Sequence, residues 1–360
     1  MVVGIACAIA VVFFLFLKQR AASSKALVFK GNSSGLTETQ IVPVLNSAIS
    51  SGKTTMWCSS FQIAWNRLKD DVIKAPVKFQ DNDAIANELN VAEQSESDIA
   101  AKNVFAAAGF GKDGILRKIK DGLSQKFPGK EAPDFKLRPD DILAYAYLEV
   151  DVVFPFPYAD IREKMEFKSS NGKSVPVTAF GFERNERDDD MKHQANLLYA
   201  SGSEEVASEF VVDLCTDSEN QVVVACIPPQ ETLEKTLRYA LAKRFEYNEP
   251  GDGASIMQLK IPNIAGDIIH RFTELETKKF ANSLFQEYFI AVAQQRIDFK
   301  LDRGGASLKS EARMAAAKSA MRRSAYDIIA DRPFLLYMKR RDATHPYFVM
   351  WVDSAELLTK

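Results

Sequence analysis

The sequence predicts an α+β fold, and three observations carry that prediction. Helical periodicity dominates from Thr37 to Phe127, strand-like alternation takes over from Ile142, and one further helix, from about Glu231 to Arg244, interrupts the strands. Helices first, then strands with a helix inserted, is the order of an α+β domain rather than of an alternating α/β one. With 360 residues, 46% of them hydrophobic and 26% charged, the chain has the balance of a globular protein with a substantial core. Residues 37–360 read as one domain, preceded by a segment over 1–20 and a Ser-rich linker over 21–36.

The first segment stands apart. Met1 to Leu17 carries no charge, is rich in Val, Ile, Leu and Phe, and runs into Lys18-Gln19-Arg20. As a helix it would extend about 25 Å, enough for a thin bilayer. It lacks the positive start of a signal peptide, so it is expected to be an uncleaved membrane anchor, with residues 1–17 in the membrane. The basic flank favours a cytoplasmic body.

Within the domain, Thr37 and Gln40 have the spacing of a capping box ahead of a helix to about Ser50. Ser59 or Ser60 is placed to cap a second helix with Phe61, Ile63, Trp65 and Leu68 on its apolar side. Further helices are expected over Asp83–Glu93, Ser97–Ala107 and Gly114–Gln125, followed by a Pro-containing connection to Pro139. Long strands are expected over Tyr145–Phe154 and Ser174–Phe182. Glu209–Cys215 and Gln221–Ile227 should pair as a hairpin, and Ser255–Ile261 should form another strand. Outside the first segment the cysteines are Cys58, Cys215 and Cys226, an odd number, and the hairpin sets Cys215 opposite Val222 rather than Cys226. No disulfide framework is expected.

Several chemistries are excluded at this level. A net charge of −2 gives no overall attraction to nucleic acid, and the local basic runs at Arg313–Arg323 and Lys339–Arg341 read as solvated faces. Ser51-Gly52-Lys53-Thr54 is not a phosphate loop, because Ser47 stands where the first glycine belongs and a helix is expected before it. Gly109-Phe110-Gly111 with Gly114 reads as a loop between helices, and Asp188–Asp190 with His193 as a solvated one. His193, His270 and His345 share no motif with a nucleophile and an acid. The sequence therefore calls for no enzyme activity, no metal and no cofactor, and for a monomer.

The last sixty residues are the most informative. Phe299–Asp302 alternates as a strand and meets Gly304-Gly305; Phe334–Met338 and Phe348–Val352 read as a buried hairpin. Between them Ala306–Asp327 is Ala-rich, with Leu308 its one large aliphatic residue. A connection that long inside a domain is usually functional or disordered. Read as a strand from Ala306, one face carries Ala306, Leu308, Ser310, Ala312, Met314 and Ala316, and the other Ser307, Lys309, Glu311, Arg313 and Ala315. One face is small or apolar and the other charged, so the segment would fit between two strands with its charges in water. The same residues are good helix formers, and an exposed helix is the other conformation open to them.

This arrangement resembles the end of a serpin, the serine-protease-inhibitor fold, in which a strand, a glycine hinge, a long reactive loop and a hairpin follow in this order. FKLDRGGASLKSEA (Phe299–Ala312) aligns with the family's hinge, Asp331-Arg332-Pro333-Phe334-Leu335 with its signature hairpin strand, and Tyr347-Phe348-Val349-Met350 with the return strand. Weaker echoes lie at Ser59–Ala64, Pro157-Tyr158, Phe167, Asn171-Gly172, Val175–Val177, Gln221–Pro228 and Leu259–Pro262. The resemblance implies a serpin-like α+β fold, with helices around a large mixed sheet, further sheets and a long exposed loop. It implies an inhibitor of a serine protease, whose cut loop inserts into the sheet as a new strand. Gly304, Gly305 and Ala306 would then be the hinge, and Leu308, Ser310 and Ala312 the inserting face. The scissile bond would lie at Ser319-Ala320, with Arg322 or Arg323 as the alternative specificity residue for a trypsin-like partner. The resemblance favours an extracytoplasmic body, against the flanking charge. Arg303 and Gly304 stand where the family has acids, and Leu308 where it has a small residue. A non-inhibitory serpin-fold module that binds another protein is the alternative function.

Overall fold

A computed structural model describes residues 28–130, 136–186, 188–203, 206–216, 218–243, 255–307 and 325–360. The expected anchor at 1–17 lies outside them, and among the described residues no helix is long and apolar enough to cross a membrane. The class is α+β. Two mixed sheets dominate, one of eleven strands and one of five, with two separate two-stranded ribbons.

The eleven-stranded sheet holds the expected hairpin, Phe334–Arg340 paired with Phe348–Val352, and flanks it with Asn220–Cys226 and Thr54–Cys58. Both faces are covered. Phe334, Leu336 and Met338 point into the main core, whereas Leu335, Tyr337 and Trp351 pack on the other side against Leu233, Leu237 and Ala240 of the helix Leu233–Ala242. Burial on both faces is why these strands read as continuous apolar runs instead of alternating.

The five-stranded sheet and its neighbouring ribbon use β1 (Lys30–Asn32), β2 (Val104–Phe110), β3 (Ile142–Leu148), β4 (Val152–Val153), β5 (Ile264–Arg271), β6 (Gln294–Asp302) and β7 (Gly305–Ser307). The sheet runs β1-β5-β6-β7-β4, while β2 and β3 pair with each other. β1 lies within the stretch read as linker; it pairs in parallel with β5, Lys30 opposite Asp267.

Several expectations are corrected. No helix follows Thr37. Thr39–Ile41 is a strand parallel to Thr54–Cys58, and the Glu356 carboxylate accepts the Thr37 and Glu38 amides at 2.8 and 3.0 Å, the role assigned to Gln40. The second helix, Ser59–Arg67, is capped at Cys58 without a side-chain bond, so Ser59 and Ser60 sit in its first turn. Ser97–Ala107 is two 3-10 turns and then β2, whose three alanines face Ala144–Ala146 of β3. Alanine's helix preference is a weak prior, and cross-strand pairing overrides it here. Tyr145–Phe154 is broken into β3 and β4, and Ser174–Phe182 into Ser174–Val177 and Ala179–Phe182, which join different sheets. The helix after Asp83 forms with the Asp83 carboxylate accepting the Ala86 amide at 2.8 Å. Helix Ile115–Lys126 and the Val206–Asp213/Asn220–Cys226 hairpin also form, and among the described residues Cys58, Cys215 and Cys226 are buried and outside any disulfide.

Candidate functional site

The glycine pair makes a tight reversal. β6 ends at Asp302, the Gly304 amide donates to Asp302 Oδ1 at 2.9 Å, and β7 returns antiparallel with Asp302 opposite Gly305, Leu301 opposite Ala306 and Lys300 opposite Ser307. On its other edge β7 meets β4, Gly305 opposite Val153 and Ala306 opposite Val152. The reversal is pinned from outside by the Phe154 amide on the Gly304 carbonyl (3.0 Å), the Tyr158 amide on the Arg303 carbonyl (2.9 Å) and the Arg303–Asp160 ion pair. Gly305 has φ +138°, and a Cβ there would lie 1.9 Å from the Val152 carbonyl oxygen, so only glycine lets the strands close. Ala306 is completely buried.

Beyond β7 the sheet opens. Among the described residues β3 pairs with β2 alone, and β6 along this stretch with β5 alone, so that β3 and β6 face each other across a gap. Between them lies a cavity of about 1990 Å³, lined by every residue of 142–149 and 293–300 and floored by Phe61, Trp65 and Phe348. Unpaired strand edges are templates for another strand.

The two lips present matching faces. On β3, Ala144, Ala146 and Leu148 pack toward the main core, and Leu143, Tyr145 and Tyr147 pack outward under the helix Ile115–Lys126. On β6, Gln295, Ile297, Phe299 and Leu301 are buried, and Gln294, Arg296 and Asp298 are exposed. The inner wall is apolar save for Gln295, whose Nε2 donates to the Cys58 carbonyl (3.0 Å) and Ser60 Oγ (2.8 Å) while its buried Oε1 has no hydrogen-bond partner. Burial pushes the Cys58 thiol up, which disfavours a nucleophilic thiolate.

The outer rim is charged. Tyr147 donates to Glu149 Oε2 at 2.7 Å, and Lys130 Nζ lies 3.4 Å from the same oxygen and 5.8 Å from the Tyr147 ring centre. Across the gap Arg296 grips Asp267 with bonds of 2.6 and 2.7 Å. Asp298 keeps contact with solvent, but crowding by its neighbours partly desolvates the carboxyl and, with the Asp267 charge, pushes it up, while Arg296 and Lys130 pull it down. Burial raises the Tyr145 phenol to about 12 and also raises Tyr147.

Gly304, Gly305 and Ala306 are thus brought together at the closed end of the slot. Leu308, Ser310, Ala312, Ser319, Ala320, Arg322 and Arg323 lie outside the described residues; the chain is described again from Ala325, which begins a strand parallel to Ser255–Pro262. The strand expected from Tyr145 covers most of β3 and the one from Phe299 the end of β6. The alternation over Gln294–Asp298 carries the rest of β6, whereas the facing of the two strands has no signal in either. Among the described residues no group of His, Cys, Asp or Glu is placed to hold a metal.

No family model and no curated protein matches the chain. Solved structures do. Human thyroxine-binding globulin is 10% identical, with 86% of this chain and 93% of that one covered and a TM-score of 0.47. Serpin48 of the insect Tenebrio molitor is 12% identical, with 85% and 92% covered and a TM-score of 0.46. Serpin1 of Arabidopsis in its native stressed conformation is 12% identical, with 86% and 92% covered and a TM-score of 0.45.

Proposed function

We propose that the chain is a serpin-fold inhibitor of serine proteases, working by insertion of its own loop into the slot between β3 and β6. The observation that carries this is β7. Three residues of the loop already sit as a strand between β6 and β4, at the end of the cavity between β3 and β6.

Continued without a slip, the β6 register would set Leu308 opposite Phe299, Ser310 opposite Ile297 and Ala312 opposite Gln295, all inward-facing positions of β6. The β4 register continued would set Leu308 opposite Val150, Ser310 opposite Leu148 and Ala312 opposite Ala146, which also face the core. Both lips therefore demand the same face of the loop, the small and apolar one. A one-residue slip would instead bury Lys309, Glu311 and Arg313. Filling the slot down to Ile142 would consume the chain to Ala316. A cut at Ser319-Ala320, or after Arg322 or Arg323, frees enough chain; a cut after Lys309 or Arg313 does not.

A trypsin-like protease is the proposed partner. Mixed with the protein, it should form a covalent complex that survives boiling in detergent. A chain that is only nicked, with the protease released, would leave a protein-binding module in place of an inhibitor.

A further inference from the structure

We infer that Asn32 is the acceptor of an N-linked glycan, and that this glycan covers the outer edge of the five-stranded sheet. Transfer of the glycan requires the domain to lie outside the cytosol, the side favoured by the resemblance and not by the flanking charge. It is independent of protease inhibition.

Asn32-Ser33-Ser34 is the one Asn-x-Ser/Thr triplet among the 360 residues. Such a triplet is an acceptor signal when x is not proline, and it has to sit on a surface loop. Triplets of this kind also arise by chance, so placement decides, and three features of the placement favour a glycan.

First, the triplet is turned the right way out. Asn32 and Ser34 are exposed, whereas Ser33 turns inward and its Oγ lies 2.7 Å from Nδ1 of the half-buried His270. The middle residue fastens the segment to β5, and the two residues that the signal requires face water. Second, the local backbone sets the amide free. Asn32 is extended, with φ −76° and ψ 138°, and its Oδ1 accepts the Ser34 amide at 2.9 Å as the chain enters the turn Ser33–Gly35. This is an Asx turn, in which a side chain stands in for a backbone carbonyl. It occupies Oδ1 and leaves Nδ2, the atom that would carry the sugar, without a hydrogen bond among the described residues.

The transfer is a substitution at a sugar carbon. The Asn32 Nδ2 bonds to the anomeric carbon of an oligosaccharide carried on a lipid diphosphate, and the bond from that carbon to the diphosphate oxygen breaks. The lipid diphosphate leaves with the electron pair, and one amide proton passes to a base of the transferase. Nothing is oxidised or reduced.

Third, the folded protein has room for the product. Asn32 ends β1, the outermost strand, with Ile269 of β5 opposite it on one side and no described strand on the other. β5 separates β1 from β6, so the attachment point is two strand spacings, about 10 Å, from the nearer lip of the slot. A glycan there would leave the slot clear. It would instead lie over an edge that is otherwise a template for a second chain, guarded only by the shortness of β1 and the exposed Lys30.

The test uses the full chain made in a eukaryotic secretory host. The expected result is a single upward shift on a denaturing gel, removed by peptide-N-glycosidase with conversion of residue 32 to an aspartate in the mass spectrum. The shift should vanish in Ser34→Ala and persist in Ser34→Thr, two changes at an exposed side chain. After the enzyme has removed the glycan from the native protein, light scattering should show a rise in average molar mass at concentrations where the glycosylated parent is a monomer. A parent with no shift, or a shift that survives in Ser34→Ala, would overturn the acceptor assignment. An unchanged molar mass after removal would overturn the covering of the edge.

Discussion

The two large sheets of this molecule treat the same kind of edge in opposite ways. In the eleven-stranded sheet the Phe334–Arg340/Phe348–Val352 hairpin has partners on both sides and cores on both faces, and Trp351, Leu336 and Val349 are inaccessible to solvent. Beside the five-stranded sheet, β6 and the ribbon strand β3 stand apart above an apolar floor, and among the described residues nothing pairs with their facing edges. The first region holds the fold together; in the second, no described residue pairs with the facing edges of β3 and β6. Under the insertion proposed above, the loop would supply a strand to that gap while the rest of the fold stays intact.

The sharpest separation should come from matched truncations. Trp351→Ala, in the closed sheet, should cost about 3–5 kcal/mol in urea unfolding. Tyr145→Ala, on the half-buried lip, should cost much less in the uncut chain and act mainly on the stability gained after cutting. Equal losses at the two sites would erase the proposed division of labour.

The hinge comes next. Gly305→Val forces a side chain into the Val152 carbonyl and a φ that β-branched residues avoid, a strain on the order of 1–3 kcal/mol. The uncut chain can relieve it by releasing the three residues of β7, so its melting temperature should fall only modestly. The inserted form cannot, and both the rise on cutting and the detergent-stable protease complex should be lost. A variant that inserts as well as the parent would show that β7 is not the start of the inserting strand.

How much of this was legible beforehand follows the same contrast. The closed sheet was plain in the sequence, because strands buried on both faces write unbroken apolar runs, as FLLYM and FVMWV do. The paired glycines were legible too, since a tight reversal between strands leaves few other choices. The slot was not, because a gap is a relation between β3 and β6, far apart in the chain, and neither sequence says that its partner is missing. The AAAG stretch of β2 (Ala106–Gly109) was hidden by alanine's helix preference, and the rim acids Glu149 and Asp298 acquire meaning only when the lips face each other.

Smaller effects should appear in pH dependence on the same strand. Asp267 is held below the usual carboxylate range by its bond to Arg296, then raised somewhat by burial. A depressed carboxyl stabilises the fold above its unfolded value near 3.9, and that stability is lost as pH falls through the folded value. Arg296→Ala should therefore lower the melting temperature at neutral pH and flatten its fall in acid. Asp298 has the opposite sign. Its raised carboxyl makes the ionised form a cost, relieved as pH falls through the folded value. Asp298→Asn should raise the uncut melting temperature slightly at neutral pH, with the advantage shrinking in acid. If it lowers the uncut melting temperature instead, the rim is not a site of unrelieved negative charge.

Hydrogen exchange on the two lips asks most directly whether the slot takes up the loop. In the uncut protein the amides of 142–148 and 294–300 that point into the gap should exchange quickly, while those bonded to β2 and β5 exchange slowly. After a single cut between Ser319 and Ala320, the gap-facing amides should become as protected as the rest, and residues 308–316 should gain protection with them. Lips that exchange as fast after cutting as before would contradict strand insertion outright.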